Sequence, residues 1–258
     1  RLGVRLLQRT TRALHLTAEG EVFHAAARRI LAEIETLENQ VSGQGSAPQG
    51  LLRVTTSLAF STHQLTPVLP EFLVRYPQVR LELLPTDRLV DMIEEGMDVA
   101  LRIGRLADTS FMARKIGEDR RLICAAPSYL AQHGAPGRPE DLAGHNCILS
   151  RERGALNRWQ FRIDGEIRTI DVTGRLAVDE GELQLQLAVQ GLGIVRLTRL
   201  TVAQAVRTGA LVPLLGAFSA DDPVAIHAVY PHRRHLAPRV TAFVNFLIEK
   251  FTPPPWEI

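Results

Sequence analysis

Cysteine is scarce in this chain of 258 residues: Cys124 and Cys147 are the only two, too few for a disulfide framework at this length. Long apolar runs are missing as well. No stretch of about eighteen uninterrupted apolar residues occurs, which excludes a membrane-spanning helix, and no charged-then-apolar segment of the secretory kind opens the chain. A soluble, cytoplasmic protein with no membrane partner is therefore expected. Catalytic signatures are absent too: there is no Gly-x-Ser-x-Gly elbow, no phosphate-loop glycine pattern and no His-Glu-x-x-His helix. His232 and His235 lack an accompanying carboxylate or cysteine cluster, so they read as part of a solvated turn and no metal site is assigned. Cys124 lies in the apolar run Leu122-Ile123-Cys124-Ala125-Ala126 and reads as a small buried residue; pairing with Cys147 would require the fold to bring them together. No enzyme and no cofactor are expected. Net charge of one sign is also small, at +2, so any affinity for phosphate must come from a local cluster.

What is present is ample apolar material, 45% of residues against 22% charged, enough for two or three compact domains. The local basic cluster exists. Arg1, Arg5, Arg9 and Arg12 fall within the first seventeen residues with no Asp or Glu among them, and Arg9-Thr10-Thr11-Arg12 forms an arginine-framed, hydroxyl-rich turn. Guanidinium forks and short hydroxyls suit contact with the phosphate backbone of DNA, which positions a protein without reading sequence. Thr17 then reads as the cap of a helix, with Glu21 near its positively polarised start. Along that helix Phe23, Ala26, Ile30, Ile34, Leu37 and Val41 recur at steps of three and four, a single apolar stripe on a rod that needs a partner to cover it. A polar hinge, Ser42-Gly43-Gln44-Gly45-Ser46-Ala47-Pro48-Gln49-Gly50, detaches the rod from the remainder of the chain and favours pairing with a second chain.

From Leu51 the pattern alternates between strand and helix. Strands are expected at 51–56, 79–84 and 98–103, with helices at 64–76 and at 87–95, the latter closed by Gly96. A second set comes next, with strands at 121–126, 146–149, 159–163, 167–178 and 192–196 and helices at 128–133, 181–190 and 198–208. A last strand at 224–230 and a helix at 238–251 are expected to return to the first set. The order implies two α/β lobes, mainly parallel in the first, with a cleft between them. Ligands sit beyond the carboxyl ends of parallel strands, where helix N-termini present free N–H groups. This places Ser57, Leu58, Phe60 and Ser61 after the first strand, Arg102 and Gly104 after the third, and Asp179 and Glu180 in the matching turn of the second lobe. Ser57, Ser61 and Arg102 together suit a carboxylate.

The turn and rod, with Leu69-Pro70-Glu71-Phe72, Arg75-Tyr76-Pro77, Ala100-Leu101-Arg102-Ile103-Gly104 and Gly191-Leu192-Gly193-Ile194, resemble the LysR-type transcriptional regulators over almost the whole chain. The resemblance implies an α/β protein with the remnant of a winged helix-turn-helix at 1–17 and a linker or dimerisation helix at 18–42. After the hinge at 43–50 it implies a two-lobed effector domain similar to periplasmic solute-binding proteins. Lobe I would comprise 51–120 and 225–258, and lobe II 121–224. It further implies promoter or operator double-stranded DNA and a small-molecule effector as partners, and self-association as a dimer or tetramer. The chain starts at Arg1, and Arg1-Leu2-Gly3-Val4-Arg5-Leu6-Leu7 matches the region just after the recognition helix, so the base-reading residues are expected to lie outside this sequence. Arg196-Leu197-Thr198 departs from the family, which commonly continues there with apolar residues and a proline. Rival readings are a transport-type solute-binding protein or a small-molecule enzyme using the same cleft.

Overall fold

The computed structural model describes residues 2–9, 14–24, 26, 27, 30, 34, 47–88, 90–104, 106, 111–151, 154–231 and 236–257. At the start, β1 (Leu7–Arg9) and β2 (Leu14–Leu16) pair as an antiparallel ribbon. Thr17 comes next and caps the adjoining helix through both ends of its hydroxyl, accepting from the Gly20 N–H at 3.0 Å and donating to the Arg5 carbonyl at 2.6 Å. Helix α1 includes 18–24 and continues at 26, 27, 30 and 34. Phe23, Ile30 and Ile34 are exposed and Ala26 is half-buried; Leu37 and Val41 fall outside the described residues.

The body is built on a seven-stranded sheet that runs through both lobes. In the first lobe β3 (Gly50–Thr56) lies parallel to both β4 (Val79–Pro85) and β5 (Val99–Ile103). The inner strands β3 and β5 are largely buried, while β4 at the sheet edge exposes Arg80 and Glu82, and Glu82 pairs with Arg53 of β3 at 2.7 Å. After β3 the chain enters a helical run in three parts: α2 (Leu58–Phe60), a π-helical turn at Ser61–Leu65, and α3 (Thr66–Arg75). Strand β6 (Phe111–Ala125) is the spine. Its residues 111–120 pair with β13 (Pro223–Pro231), which in turn pairs with β5; its residues 121–125 pair with β11 (Val195–Thr198) and β12 (Val212–Leu214). The last strand and α7 (Pro238–Lys250) therefore return to the first lobe.

The first core gathers Leu52, Val54, Phe60, Phe72, Val99 and Leu101 with Phe243, Phe246, Phe251 and Trp256 from the returning segment. Trp256 lies under Gly117 and donates its indole N–H to the Glu118 carbonyl at 3.1 Å, tying the end of the chain to the spine. The second lobe has apolar clusters on the two faces of its strands. Cys124, Leu185, Val195 and Val202 belong to one, with α5 (Gly181–Val189) and α6 (Arg199–Arg207). Tyr129, of α4 (Pro127–His133), joins Ala125, Leu142, Cys147, Trp159, Phe161 and Ile194 in the other. Cys124 and Cys147 thus lie in separate clusters as free thiols, each pushed up to about 12 by burial, which keeps them protonated.

Three expected elements differ. The strand expected at 121–126 begins much earlier, at Phe111, because its first part pairs with β13 in the first lobe. In place of the helix expected at 87–95, the described residues 87 and 88 form a bend and 92–96 a turn: Asp91 accepts the Ile93 and Glu94 N–H groups on its carboxylate, and Met97 N–H reaches back to the Met92 carbonyl, so one capped turn closes before a helix can propagate. The single strand expected at 167–178 is two, β9 (Glu166–Asp171) paired with β8 (Arg158–Ile163), and β10 (Leu176–Ala177) paired with β7 (Ile148–Leu149). Between them Gly174 packs against the Cys147 carbonyl so closely that no Cβ fits. No helix among the described residues is long and apolar enough to cross a membrane.

Candidate functional site

A cavity of about 640 Å³ opens where the lobes meet. Ser57, Thr86, Asp87 and Arg102 reach it from the first lobe, and Arg121, Ser150, Asn157, Asp179, Arg196 and Thr198 from the second lobe and the spine. Its floor toward β5 and β13 is apolar, with Met92, Leu101, Phe111 and Val229. Such a mixture of an apolar bed and a few convergent polar groups is the usual make-up of a small-molecule site.

Each lining group is positioned by a local device. Ser57 leaves β3 in extended conformation and caps α2, its Oγ accepting from the Phe60 N–H at 3.2 Å, so its hydroxyl hydrogen is left to point elsewhere. Arg102 stands opposite His227 on β13, and its Nη1 lies 3.5 Å from the Arg88 carbonyl. In the second lobe Asp179 accepts from Ser150 Oγ at 3.4 Å and pairs with Arg151 Nε at 3.0 Å. Asn157 brackets Ser150 with two backbone hydrogen bonds, and Gln184 donates to the Val178 and Leu149 carbonyls, so these amides hold the wall in shape. Thr198 and Thr201 share a hydrogen bond at 2.9 Å at the start of α6.

The lobes are also clasped beside the cavity. The π-helical turn brings His63 Nε2 to 2.7 Å from Glu182 Oε2 and sends the Gln64 amide to the Leu200 carbonyl at 2.7 Å. A single π turn inside a helix often marks a functional position. Asp87 accepts the Gly181 N–H at 3.1 Å, at the first turn of α5. The neighbouring Glu180 carboxyl is raised above the usual carboxylate range, first by burial and then by its hydrogen bond to Asp87 and the charge there. Asp119 of the spine is almost fully buried and accepts the Leu200 N–H at 3.0 Å; burial lifts its pKa to about 6 against the lowering effect of the backbone donors and Arg199.

Of the residues expected at the site, Ser57, Arg102 and Asp179 are brought together around the cavity. Phe60 is not. Its ring is fully buried against Phe251 and Trp256, facing the core of the first lobe. Ser61 is likewise buried, in the π turn, and its carbonyl accepts from Thr66 Oγ1. Leu58 is partly exposed outside the lining, because the α2 turn rotates it away from the side that Ser57 and Ala59 present. Gly104 ends β5 at φ +103°, donating its N–H to the Ala225 carbonyl, and Glu180 turns toward Asp87; neither lines the cavity. Arg9 ends β1, while Thr10, Thr11 and Arg12 lie outside the described residues. Arg121 and Arg196 also line the cavity, outside the set expected from sequence. The signal for Arg196 is a lone charge in a strand that otherwise has none, at the position that breaks the family pattern; Arg121 closes the charged run Glu118-Asp119-Arg120-Arg121 and carries no such signal.

Comparison with known proteins agrees with this geometry. The family described as "LysR substrate binding domain" matches residues 45–252. The chain belongs to the LysR family. Two LysR-type relatives match along nearly its full length. The HTH-type transcriptional regulator CrgA of Neisseria meningitidis serogroup C (strain 8013) is 36% identical over 250 residues, covering 97% of this chain and 83% of the relative. The HTH-type transcriptional regulator DmlR of Escherichia coli (strain K12) is 35% identical over 251 residues, covering 97% and 81%. The solved structure of CrgA superposes with a TM-score of 0.75 at 36% identity, over 96% of this chain and 84% of that one. This LysR-type chain is thus a transcriptional regulator with an effector-binding domain of two lobes.

Proposed function

We propose that this regulator responds in the cytoplasm to a small carboxylate bound in the interlobe cavity, and passes that binding to DNA through the hairpin and helix at its N-terminal end. The observation that carries the reading is the cavity itself, whose lining is drawn from both lobes, so that a ligand in it touches two bodies at once. Ser57 and Arg102 would supply the hydroxyl and the fork that hold the carboxylate. Arg9, Thr10, Thr11 and Arg12 would grip the DNA backbone, and the stripe of Phe23, Ala26, Ile30, Ile34, Leu37 and Val41 would pair chains into dimers and tetramers. The lobes are taken as 51–120 with 225–258 and as 121–224, a division supported by the passage of β6 from one lobe to the other and the pairing of β13 with β5. The cavity is read as a binding site and not as a catalytic one, since Asp179, Asn157 and Gln184 are occupied in shaping its wall.

Binding of effector and of DNA are then coupled by one free energy, so each must change the other's affinity by the same factor. The test is a gel shift of the intact regulator on its neighbouring intergenic DNA, over a salt series, with and without the carboxylate found by calorimetry. Affinity that falls steeply with salt and changes on adding effector is the expected result. Arg102→Ala should weaken effector binding about tenfold, as loss of one charge-assisted pair implies; unchanged affinity removes Arg102 from the site, and salt-insensitive, effector-insensitive retardation refutes the regulator mechanism.

A further inference from the structure

Arg121 and Arg196 form a feature that the carboxylate reading does not use. Arg121 on β6 registers with Thr198 on β11, and Arg196 registers with Ile123. Partners across an antiparallel pair, and residues two apart along a strand, share a face, so Arg121, Arg196 and Thr198 all present to the cavity side, and all three line it. Both guanidinium side chains are largely buried, 19% and 10% exposed. One carboxylate reaches them both: Asp222 Oδ2 lies 3.4 Å from Arg121 Nη1 and 3.3 Å from Arg196 Nη2.

Those distances are long for charge-assisted hydrogen bonds, which settle at about 2.7–2.9 Å. Asp222 itself is 41% exposed, in the loop just before β13. Two largely buried cations thus share a loosely held anion in a medium that solvates charge poorly. The cost shows in Arg196, whose pKa is lowered first by burial and then by the charge of Arg121. Thr198 and Thr201, hydrogen-bonded to each other at the same wall, add hydroxyls beside the pair.

We infer that Arg121 and Arg196 are an oxyanion subsite of the cavity, occupied at rest by the Asp222 carboxylate and taken over by the carboxylate or phosphate group of a small organic ligand. The inference rests on the reading that the cavity binds a small molecule, and it moves an anionic end of that molecule to the spine, away from Arg102. Release of Asp222 would free the loop that leads into β13, where the chain crosses between lobes.

The experiment compares the full chain with Asp222→Asn, Arg196→Met and the double variant. Thermal midpoints are measured against succinate and, separately, inorganic phosphate, with ionic strength held constant by chloride. Asp222→Asn removes the internal competitor, so its midpoint should rise at anion concentrations about tenfold lower than the wild type requires; Arg196→Met, alone or with Asp222→Asn, should show no rise. The stronger of the two anions assigns the ligand group as carboxylate or phosphate. A response of Asp222→Asn no greater than that of wild type, or equal responses with and without Arg196, overturns the subsite, as does the absence of any response in all four proteins. Should the arginine variants fail to fold, calorimetry of succinate and phosphate on wild type and Asp222→Asn alone decides the point by the same tenfold criterion. Failure here leaves binding at Ser57 and Arg102 to its own Arg102→Ala titration, so the two outcomes are separable.

Discussion

Gly193 shows how a single backbone position maintains a wall of the cavity. It lies between α5 and β11, and a Cβ built on it would be driven into the carbonyl oxygen of Asn146. That close approach lets the Ile194 N–H reach the Asn146 carbonyl at 2.9 Å, while the Asn146 amide donates to the Leu192 carbonyl at 2.7 Å and its side-chain oxygen accepts from the Arg175 N–H. Asn146 thereby staples three segments. Gly193→Ala should cost about 1–3 kcal/mol through overpacking against backbone that has nowhere to move; urea denaturation measures it, and an unchanged midpoint would show that the junction can give. The substitution disturbs β11 and so the placement of Arg196 and Thr198, which links a packing defect to loss of binding.

At the scale of elements, the helical run from Leu58 to Arg75 matters most, because its π turn is what carries one lobe's side chains to the other. Gln64 is buried, and its amide donates to the Leu200 carbonyl in α6, while Leu200 N–H is held by Asp119 of the spine. Replacing Gln64 by Leu keeps the bulk and removes the donor, so stability should fall by about 1 kcal/mol, the net worth of one neutral hydrogen bond; a urea midpoint equal to wild type would mean that the clasp is idle. The π turn was not legible in the sequence, since Ser61-Thr62-His63-Gln64-Leu65 carries no composition that distinguishes it from an α turn. Elsewhere periodicity sufficed: β3, β4, α5, α6 and α7 announce themselves because their apolar residues meet a real core. The helix expected at 87–95 failed for a physical reason, as Asp91 captures two N–H groups that a helix would have used and Met92 is drawn into the apolar cluster with Ala100 and Val229. Ser57, Arg102 and Asp179 could be found because strand ends in parallel sheets are predictable places for ligands. Arg121 and Arg196 could not be paired from sequence, for only the register of β6 against β11 brings them to one face.

Across the whole molecule the question is what holds the lobes together, and one contact makes that dependent on protons. Glu180 of the second lobe faces Asp87 of the first, beside Asp179 of its own turn and Arg88 across the gap. Burial raises its pKa most, the hydrogen bond and charge of Asp87 raise it further, Asp179 adds to this, and Arg88 opposes it. With the lobes apart Glu180 would titrate as an ordinary carboxyl, so the assembled form binds more protons over the interval between the ordinary and the raised value. Linkage then fixes the sign: this contact is fully favourable below the ordinary carboxylate range and weakens as pH rises through the raised pKa. Glu180→Gln keeps a hydrogen-bond donor for Asp87 and removes the titration. Thermal midpoints of wild type and variant should agree near pH 4.5, and the variant should be the more stable at pH 7.5, because there the wild type carries two like charges across its own cleft. A constant difference between the two proteins over that range would mean that Glu180 and Asp87 share no proton, and that the lobes are held by other contacts, among them those of His63, Gln64, the Gly181 N–H and Arg207, which donates to the Pro255 and Glu257 carbonyls.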